Sequence, residues 1–238
     1  VAALTVVLIV AALQMVHIDE VDTVASEPTP ALAFDLLGER AVAGAVVLGA
    51  AAFLMIGAFD ALWDVVHEDL GTPTWMANLG ITLFGIPLIL LGPFGGRLAQ
   101  RVGPYSVAGV GLFLAAMFMA IYGQLPTGTW IFAVAMVHAI TDGFTFSASG
   151  VAVSMAVADE RQAGAQGLVG AAQALVGGIA AIVIGAVYDG FGRGTAYTVA
   201  AAGMAVLVMI GLALSAPLWR HRDGPGTPRP RLATGVGT

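Results

Sequence analysis

The chain has 238 residues, of which 58% are hydrophobic and only 10% are charged, with a net charge of -6 and no cysteine. Its mean hydropathy of +0.91 lies outside the range of soluble domains, which excludes an ordinary soluble enzyme. The acidic balance excludes a basic nucleic-acid surface, and the absence of cysteine excludes disulfides and thiolate metal sites. The composition therefore predicts an all-α membrane protein.

The hydrophobic runs predict a six-helix transmembrane bundle over residues 41–218. A helix needs about 20 apolar residues to span ~30 Å of hydrocarbon, and six runs of about that length are bounded by polar residues, glycine or proline. They are residues 41–66, 75–94, 105–122, 130–157, 163–188 and 195–218. Pro87 predicts a kink in the second of these helices, and Pro93 predicts its end.

Three segments lie outside this bundle. Residues 1–16 form a shorter apolar run without an initial Met or a basic leader, which indicates a residual transmembrane helix rather than a signal peptide. Residues 17–40 form a connector with six of the fifteen acidic residues, and its apolar part, residues 31–37, predicts a helix at the membrane interface. The Gly-, Pro- and Arg-rich tail, residues 219–238, predicts disorder.

The arginines predict the orientation in the membrane, because the chain has no lysine. With the connector in the cytoplasm, eight of the nine arginines lie on that side and only Arg193 lies outside. Trp75 and Trp130 then begin helices at the outer interface, where amphipathic rings are favoured. This pattern indicates a multi-pass protein of the cell membrane, typical of a bacterial inner membrane, with connector and tail cytoplasmic.

Two helix ends have similar sequences and indicate an internal repeat. The segments GGRLAQRVGPY, residues 95–105, and IGAVYDGFGRG, residues 184–194, align at an offset of 89 and match Gly103 with Gly192. Each segment ends a helix in a tight return, where glycine permits a positive φ. Because three helices separate the copies, they lie on opposite faces, which predicts two inverted three-helix repeats. The alternative is a chance likeness between glycine-rich helix ends.

The segment GRLAQRVG resembles the loop motif Gly-x-Leu-Ala-Asp-Arg-x-Gly-Arg-Lys of the major facilitator superfamily. Gln100 replaces the acidic residue of that motif, and Pro104 and Tyr105 replace its basic pair, so a gating role of the acidic position does not carry over. Residues 158–192 resemble the fourth-to-fifth helix region of the C-terminal half of such proteins. The motif positions are Gly96, Arg97, Gln100, Arg101 and Gly103.

The resemblance implies a transporter fold in which residues 1–218 hold the end of helix six, the central loop and helices seven to twelve. It also implies that this bundle rocks against an N-terminal six-helix half to give alternating access. The two halves would then move a small molecule through the lipid bilayer.

An ionisable pair, His138 and Asp142, lies deep in the fourth predicted helix. Asp142 follows Trp130 by twelve residues, so it lies ~18 Å from the outer interface, where a charge costs roughly 2.5–3.5 kcal/mol. Together with Thr145 and Ser149 the pair falls within about 60° of one helix face. This face is predicted to line a wet transport cavity, where the pair could exchange protons. The alternative is that the two side chains bond each other and only fix helix packing.

Two further polar residues are candidates for the pathway. Gln173 lies deep enough in its helix to need a partner, and it could contact the substrate or tie helices together. Asp60 lies near the outer edge of the first complete helix, where it is either a vestibule residue or solvated. A stripe of small residues from Gly170 to Gly185 indicates tight packing, with a sliding surface as the alternative.

These features predict a secondary active transporter that is proton-coupled and moves a small molecule, with export as an antiporter favoured over uptake. We expect no catalytic residue, no cofactor and no metal, because nucleotide loops, nucleophile elbows and metal-ligand spacings are missing from the sequence. Two alternatives remain open. The chain would then be either a membrane scaffold whose buried polar residues serve helix pairing, or a C-terminal half that functions without an N-terminal half as a homodimer.

Overall fold

Residues 33–216 are described by the computed structural model, and every regular element within this range is a helix. The predicted residual helix 1–16, the first part of the connector and the tail 219–238 lie outside the described residues. The described part of the predicted interfacial segment forms a short 3-10 helix, Ala33–Gly38.

Six α-helices follow one another with short connections. They are α1 (Arg40–Asp69), α2 (Thr74–Val102), α3 (Pro104–Tyr122), α4 (Gly128–Thr145), α5 (Ala148–Ala156) and α6 (Gln162–Leu214). In this range five helical stretches are long and apolar enough to cross a membrane, with α4 and α5 sharing one of them, Gly128–Ala156. The last stretch, Asp159–Leu214, contains the helix predicted at 163–188 and most of the helix predicted at 195–218, because α6 ends at Leu214.

Two helix boundaries differ from the prediction. The helix predicted over residues 130–157 is broken by a turn at 146–147, so its polar face is divided between α4 and α5. The predicted end near Pro93 is wrong, because α2 continues through Pro87 and Pro93 to Val102. A proline within a membrane helix is tolerated when neighbouring groups satisfy the freed backbone, whereas an unwound segment in hydrocarbon would leave more groups unsatisfied.

Gly192 reverses the direction of the chain inside α6. Its φ of 79° and ψ of 176° are not helical, and they separate a first arm, 162–191, from a second arm, 193–214. The first arm runs parallel to α1 and the second runs antiparallel to it. The close pairs are Gly49 with Val169 and Gly57 with Gly177 for the first arm, and Leu54 with Gly203 and Leu48 with Gly211 for the second.

Gly103 makes a similar return between α2 and α3, with a φ of 112°. The positive φ expected at both returns is therefore confirmed. This conformation strains residues that carry a Cβ, by roughly 1–2 kcal/mol, which explains why glycine occupies both positions.

The interior is packed differently at the two ends of the bundle. At the end near Trp75 and Trp130, the tryptophan end, large side chains are fully buried, including Trp63, Tyr122 and Tyr197. At the end near Arg97, Arg101 and Arg161, the arginine end, the core is built from smaller residues, among them Val42, Ala45, Ala108 and Ala165. The outward surface is apolar, as a lipid-facing surface requires.

Gly57 allows α1 and the first arm of α6 to approach at backbone distance. A Cβ built on Gly57 would collide with the backbone of Gly177, whereas one built on Gly178 would meet nothing within 4 Å. We expect Gly57→Ala to lower the free energy of unfolding by about 1–3 kcal/mol through overpacking. Chemical or thermal unfolding of the purified protein measures this change.

The matched control is Gly178→Ala, which also replaces a helical glycine and therefore shares the gain in helix propensity. We expect it to leave the protein as stable as the wild type or slightly more stable. An equal loss of stability in both variants would contradict the close contact.

Candidate functional site

The ionisable pair predicted from the sequence is brought together inside the bundle and extended by a tyrosine. His138 Nε2 lies 3.3 Å from Asp142 Oδ2, one helical turn along α4. The other ring nitrogen, Nδ1, lies 2.8 Å from the hydroxyl of Tyr122 on α3. The contact with Tyr122 fits either neutral tautomer of His138, because Nδ1 can accept the tyrosine hydrogen or donate to the tyrosine oxygen. Nε2 and Asp142 Oδ2 are close but make no hydrogen bond with each other or with another group among residues 33–216.

Aromatic rings surround His138 and hold its orientation. Phe118 stacks on the imidazole with ring centroids 4.8 Å apart, and Phe84 meets it edge-on at 5.6 Å. The residue is 0% exposed, and Asp142 is 4% exposed. The imidazole is therefore confined in a packed environment, and Asp142 is the member of the pair that reaches toward open space.

The break between α4 and α5 is fixed by contacts with α2. The hydroxyl of Ser147 donates to the carbonyl of Gly92 at 3.2 Å. Gly95 packs against the backbone of Phe144, so no side chain fits between the helices there. These contacts end α4 directly after Thr145 and place the following serines on α5.

A cavity of about 810 Å³, here called the polar cavity, lies between α2, α5 and the first arm of α6, close to the helix ends at the arginine end. It is open on one side, and its wall has polar and apolar parts of similar area. Its polar side chains are amides and hydroxyls. The lining residues are Gln100, Phe146, Ser147, Ser149, Gly150, Val151, Ser154, Met155, Gln166, Val169 and Gln173. Its volume lies within the range of small-molecule sites.

A second, small cavity of about 10 Å³ lies beside Asp142 and shares the lining residues Phe146 and Ser149 with the polar cavity. Asp142, Thr145 and Ser149 contribute its polar wall, and apolar residues of α1 and α3 close it. This space is about the size of one water molecule. Since Ser149 lines both cavities, it stands between Asp142 and the polar cavity.

The structure separates the predicted pathway residues into two groups. Ser149 and Gln173 line the polar cavity, whereas Asp142 and Thr145 line the small cavity and His138 lies in the packed interior. Asp60 is exposed on α1 and does not join either group.

The predicted loop motif lies at the end of α2. Gln100 lines the polar cavity, Arg97 lies over the ring of Phe94 at 5.9 Å, and Arg101 is exposed. Gly96 lies beside Ser147, and Gly103 makes the return to α3.

Sequence reasoning missed three residues of this region. Ser147 and Ser154 are seven positions apart, a spacing that could have placed them on one face of a helix. Tyr122 ends an apolar helix and gave no local signal, because its partner His138 lies on another helix. No cluster of three or more metal-ligating side chains occurs within residues 33–216.

Long apolar helices that bury an ionisable pair define a multi-pass membrane protein. Residues 45–237 match the profile of the Major Facilitator Superfamily, so the chain belongs to this family of transporters. The resemblance drawn from the loop motif is thereby confirmed. No curated protein and no solved structure matches the chain.

The Tyr122 hydroxyl is expected to stabilise the buried imidazole. Tyr122→Phe leaves His138 Nδ1 without its partner, and an unsatisfied buried polar atom costs about 1–3 kcal/mol. Thermal or chemical unfolding of the purified protein tests this loss. Tyr197→Phe is the matched control, because its hydroxyl is equally buried and has no hydrogen-bond partner in the described part of the chain. A loss of stability as large in the control would contradict the role of the hydrogen bond.

Proposed function

We propose that this chain forms the C-terminal half of a secondary transporter that exchanges a small molecule for protons, with export as the favoured direction. The observation that supports this proposal most directly is the polar cavity and its position next to Asp142. A cavity of this size and polarity in a lipid-facing bundle suits a solute pathway.

The proton route begins at the polar cavity. A proton passes Ser149 and the small cavity to the carboxylate of Asp142. His138 with its proton on Nδ1, donated to the Tyr122 hydroxyl oxygen, has a free lone pair on Nε2, 3.3 Å from Asp142 Oδ2, that accepts the proton and returns it. Tyr122 holds the imidazole so that Nε2 faces the carboxylate. The route needs no charged group at the solute position itself.

The proposed partner surface for an N-terminal half is formed by α2 and the first arm of α6. Both flank the polar cavity, and large apolar side chains on them are exposed, such as Leu90 and Leu175. The first arm of α6 also has glycines at 170, 178 and 185 that face open space, since a Cβ placed on any of them would meet no atom within 4 Å. Small residues let membrane helices approach closely, so this arm suits a moving contact.

The two arms of α6 are proposed to cross the membrane separately, which gives six crossings and two inverted three-helix units. The arginine end then lies in the cytoplasm, in agreement with the positive-inside rule. In this orientation the polar cavity belongs to the cytoplasmic half of the bundle. The large aromatic core at the tryptophan end closes the outer half.

A scaffold function is the second candidate, and the packing of His138 favours it. An imidazole that is 0% exposed and bonded to Tyr122 performs a structural role even in a protein that transports nothing. The two candidates differ in the expected role of Asp142, because a scaffold requires its contact with His138 and no proton exchange.

Asp142→Asn is expected to abolish proton coupling, because an amide cannot bind and release the proton. The full-length protein is reconstituted in proteoliposomes with entrapped pyranine, and proton movement is followed while gradients of small amphipathic and polar solutes are imposed. We expect solute-driven proton flux to fall to the level of protein-free liposomes. Solute exchange without net proton movement should persist.

Asp64→Asn is the control, because this carboxylate lies on α1 and is exposed. It should retain wild-type coupling. Wild-type proton flux in Asp142→Asn would remove this residue from the mechanism. Wild-type liposomes that move no solute in any assay would favour the scaffold instead.

A further inference from the structure

We infer that the polar cavity selects an uncharged solute rich in hydroxyl or amide groups. This inference rests on the proposed transport function and narrows its substrate from small molecules in general to one chemical class. It follows from the side chains of the wall, from their free hydrogen-bonding atoms and from the absence of fixed charge.

The wall of the polar cavity contains six polar side chains, and none of them is ionisable at neutral pH. They are Gln100, Ser147, Ser149, Ser154, Gln166 and Gln173. The nearby Arg97 and Arg101 are exposed and do not line the cavity. Within the described residues the wall therefore offers hydrogen bonds without a counter-ion.

Two internal contacts set the shape of this wall. The amide nitrogen of Gln166 donates to the carbonyl of Gly150 at 3.0 Å and to the hydroxyl of Ser154 at 2.9 Å. These bonds tie the first arm of α6 to α5 and fix the amide plane. The amide oxygen of Gln166 and the hydrogen of Ser154 stay available to a solute.

Gln173 and Ser149 of the polar cavity both lie beside Gly49 of α1. A Cβ built on Gly49 would lie 3.2 Å from Gln173 Nε2 and 3.5 Å from Ser149 Oγ, so both side chains converge beside the bare backbone of α1. Neither side chain has a hydrogen-bond partner among residues 33–216. A solute hydroxyl or amide at this point could bond both.

Desolvation decides between neutral and charged solutes. An ion that binds against this wall meets no counter-charge there, and amides and hydroxyls only partly replace the water that it gives up at the contact. A neutral hydroxyl or amide exchanges its water hydrogen bonds for equivalent ones, at little net cost. Phe146, Met155 and Val169 provide an apolar side that suits the C–H face of such a molecule.

The test compares four ligands built on the same six-membered sugar ring. Glucose and N-acetylglucosamine are neutral, glucosamine is cationic and glucuronate is anionic at about pH 6, as expected for an amine and a carboxyl group. Thermal unfolding of the full-length protein in detergent is measured with each ligand over a concentration series. We expect the two neutral ligands to raise the unfolding midpoint and the two charged ligands to leave it unchanged.

Gln173→Leu should weaken binding of the neutral ligands about tenfold through the loss of a buried hydrogen bond. Gln162→Leu is the control, because Gln162 lies on the same helix, bonds Asp159 at 2.8 Å and does not line the cavity. Gln162→Leu should bind the neutral ligands like the wild type. Before the binding series, the unfolding midpoints of both variants without ligand are compared with that of the wild type.

The inference is overturned if a charged ligand stabilises the protein as much as its neutral counterpart, if neither neutral ligand stabilises it, or if Gln173→Leu binds normally. Failure of the transport proposal is a separate result. Solute flux of a charged compound without binding of the neutral ligands would overturn this inference and keep transport. Binding of the neutral ligands without any flux would keep this inference and overturn the transport proposal.

Discussion

Hydrocarbon supplies no hydrogen bonds, and the whole structure depends on satisfying polar groups inside the protein. The backbone meets this constraint by staying helical through Pro87 and Pro93 and by reversing at single glycines. Hydroxyl side chains find hydrogen-bond acceptors within their own helix, as when the Thr145 hydroxyl donates to the carbonyl of Thr141 at 2.9 Å. An ionisable pair cannot be satisfied in this way, so the bundle must give it a partner or access to water.

The two ends of the bundle solve this problem differently. At the tryptophan end, rings such as those of Trp63 and Tyr197 fill the interior and exclude water. At the arginine end, small residues in the core and serines on α5 leave the polar cavity between helices. Asp142 lies at the boundary between these regions. A carboxylate at this position lines the small cavity, which shares Phe146 and Ser149 with the polar cavity.

Hydropathy alone predicted most helices, because a membrane span is defined by its own residues. The glycines in the two similar helix ends predicted the positive φ of Gly103 and Gly192, since a tight return needs a residue without a Cβ. The contact between Tyr122 and His138 could not be predicted, because it depends on how α3 and α4 cross. The turn at 146–147 was missed for a similar reason: its contacts with α2 come from distant residues, while the local sequence reads as one apolar run.

The separation of Asp142 from the polar cavity has a consequence for the proposed exchange. Solute and proton would not compete for one group, because the cavity wall is uncharged and Asp142 is 4% exposed. Coupling must then act through a change in the contacts around Ser149 rather than by direct displacement. If the solute is neutral, each proton exchanged for it carries one elementary charge across the membrane. The membrane potential would then contribute about 2.3 kcal/mol per 100 mV to every exchange, in addition to the proton gradient.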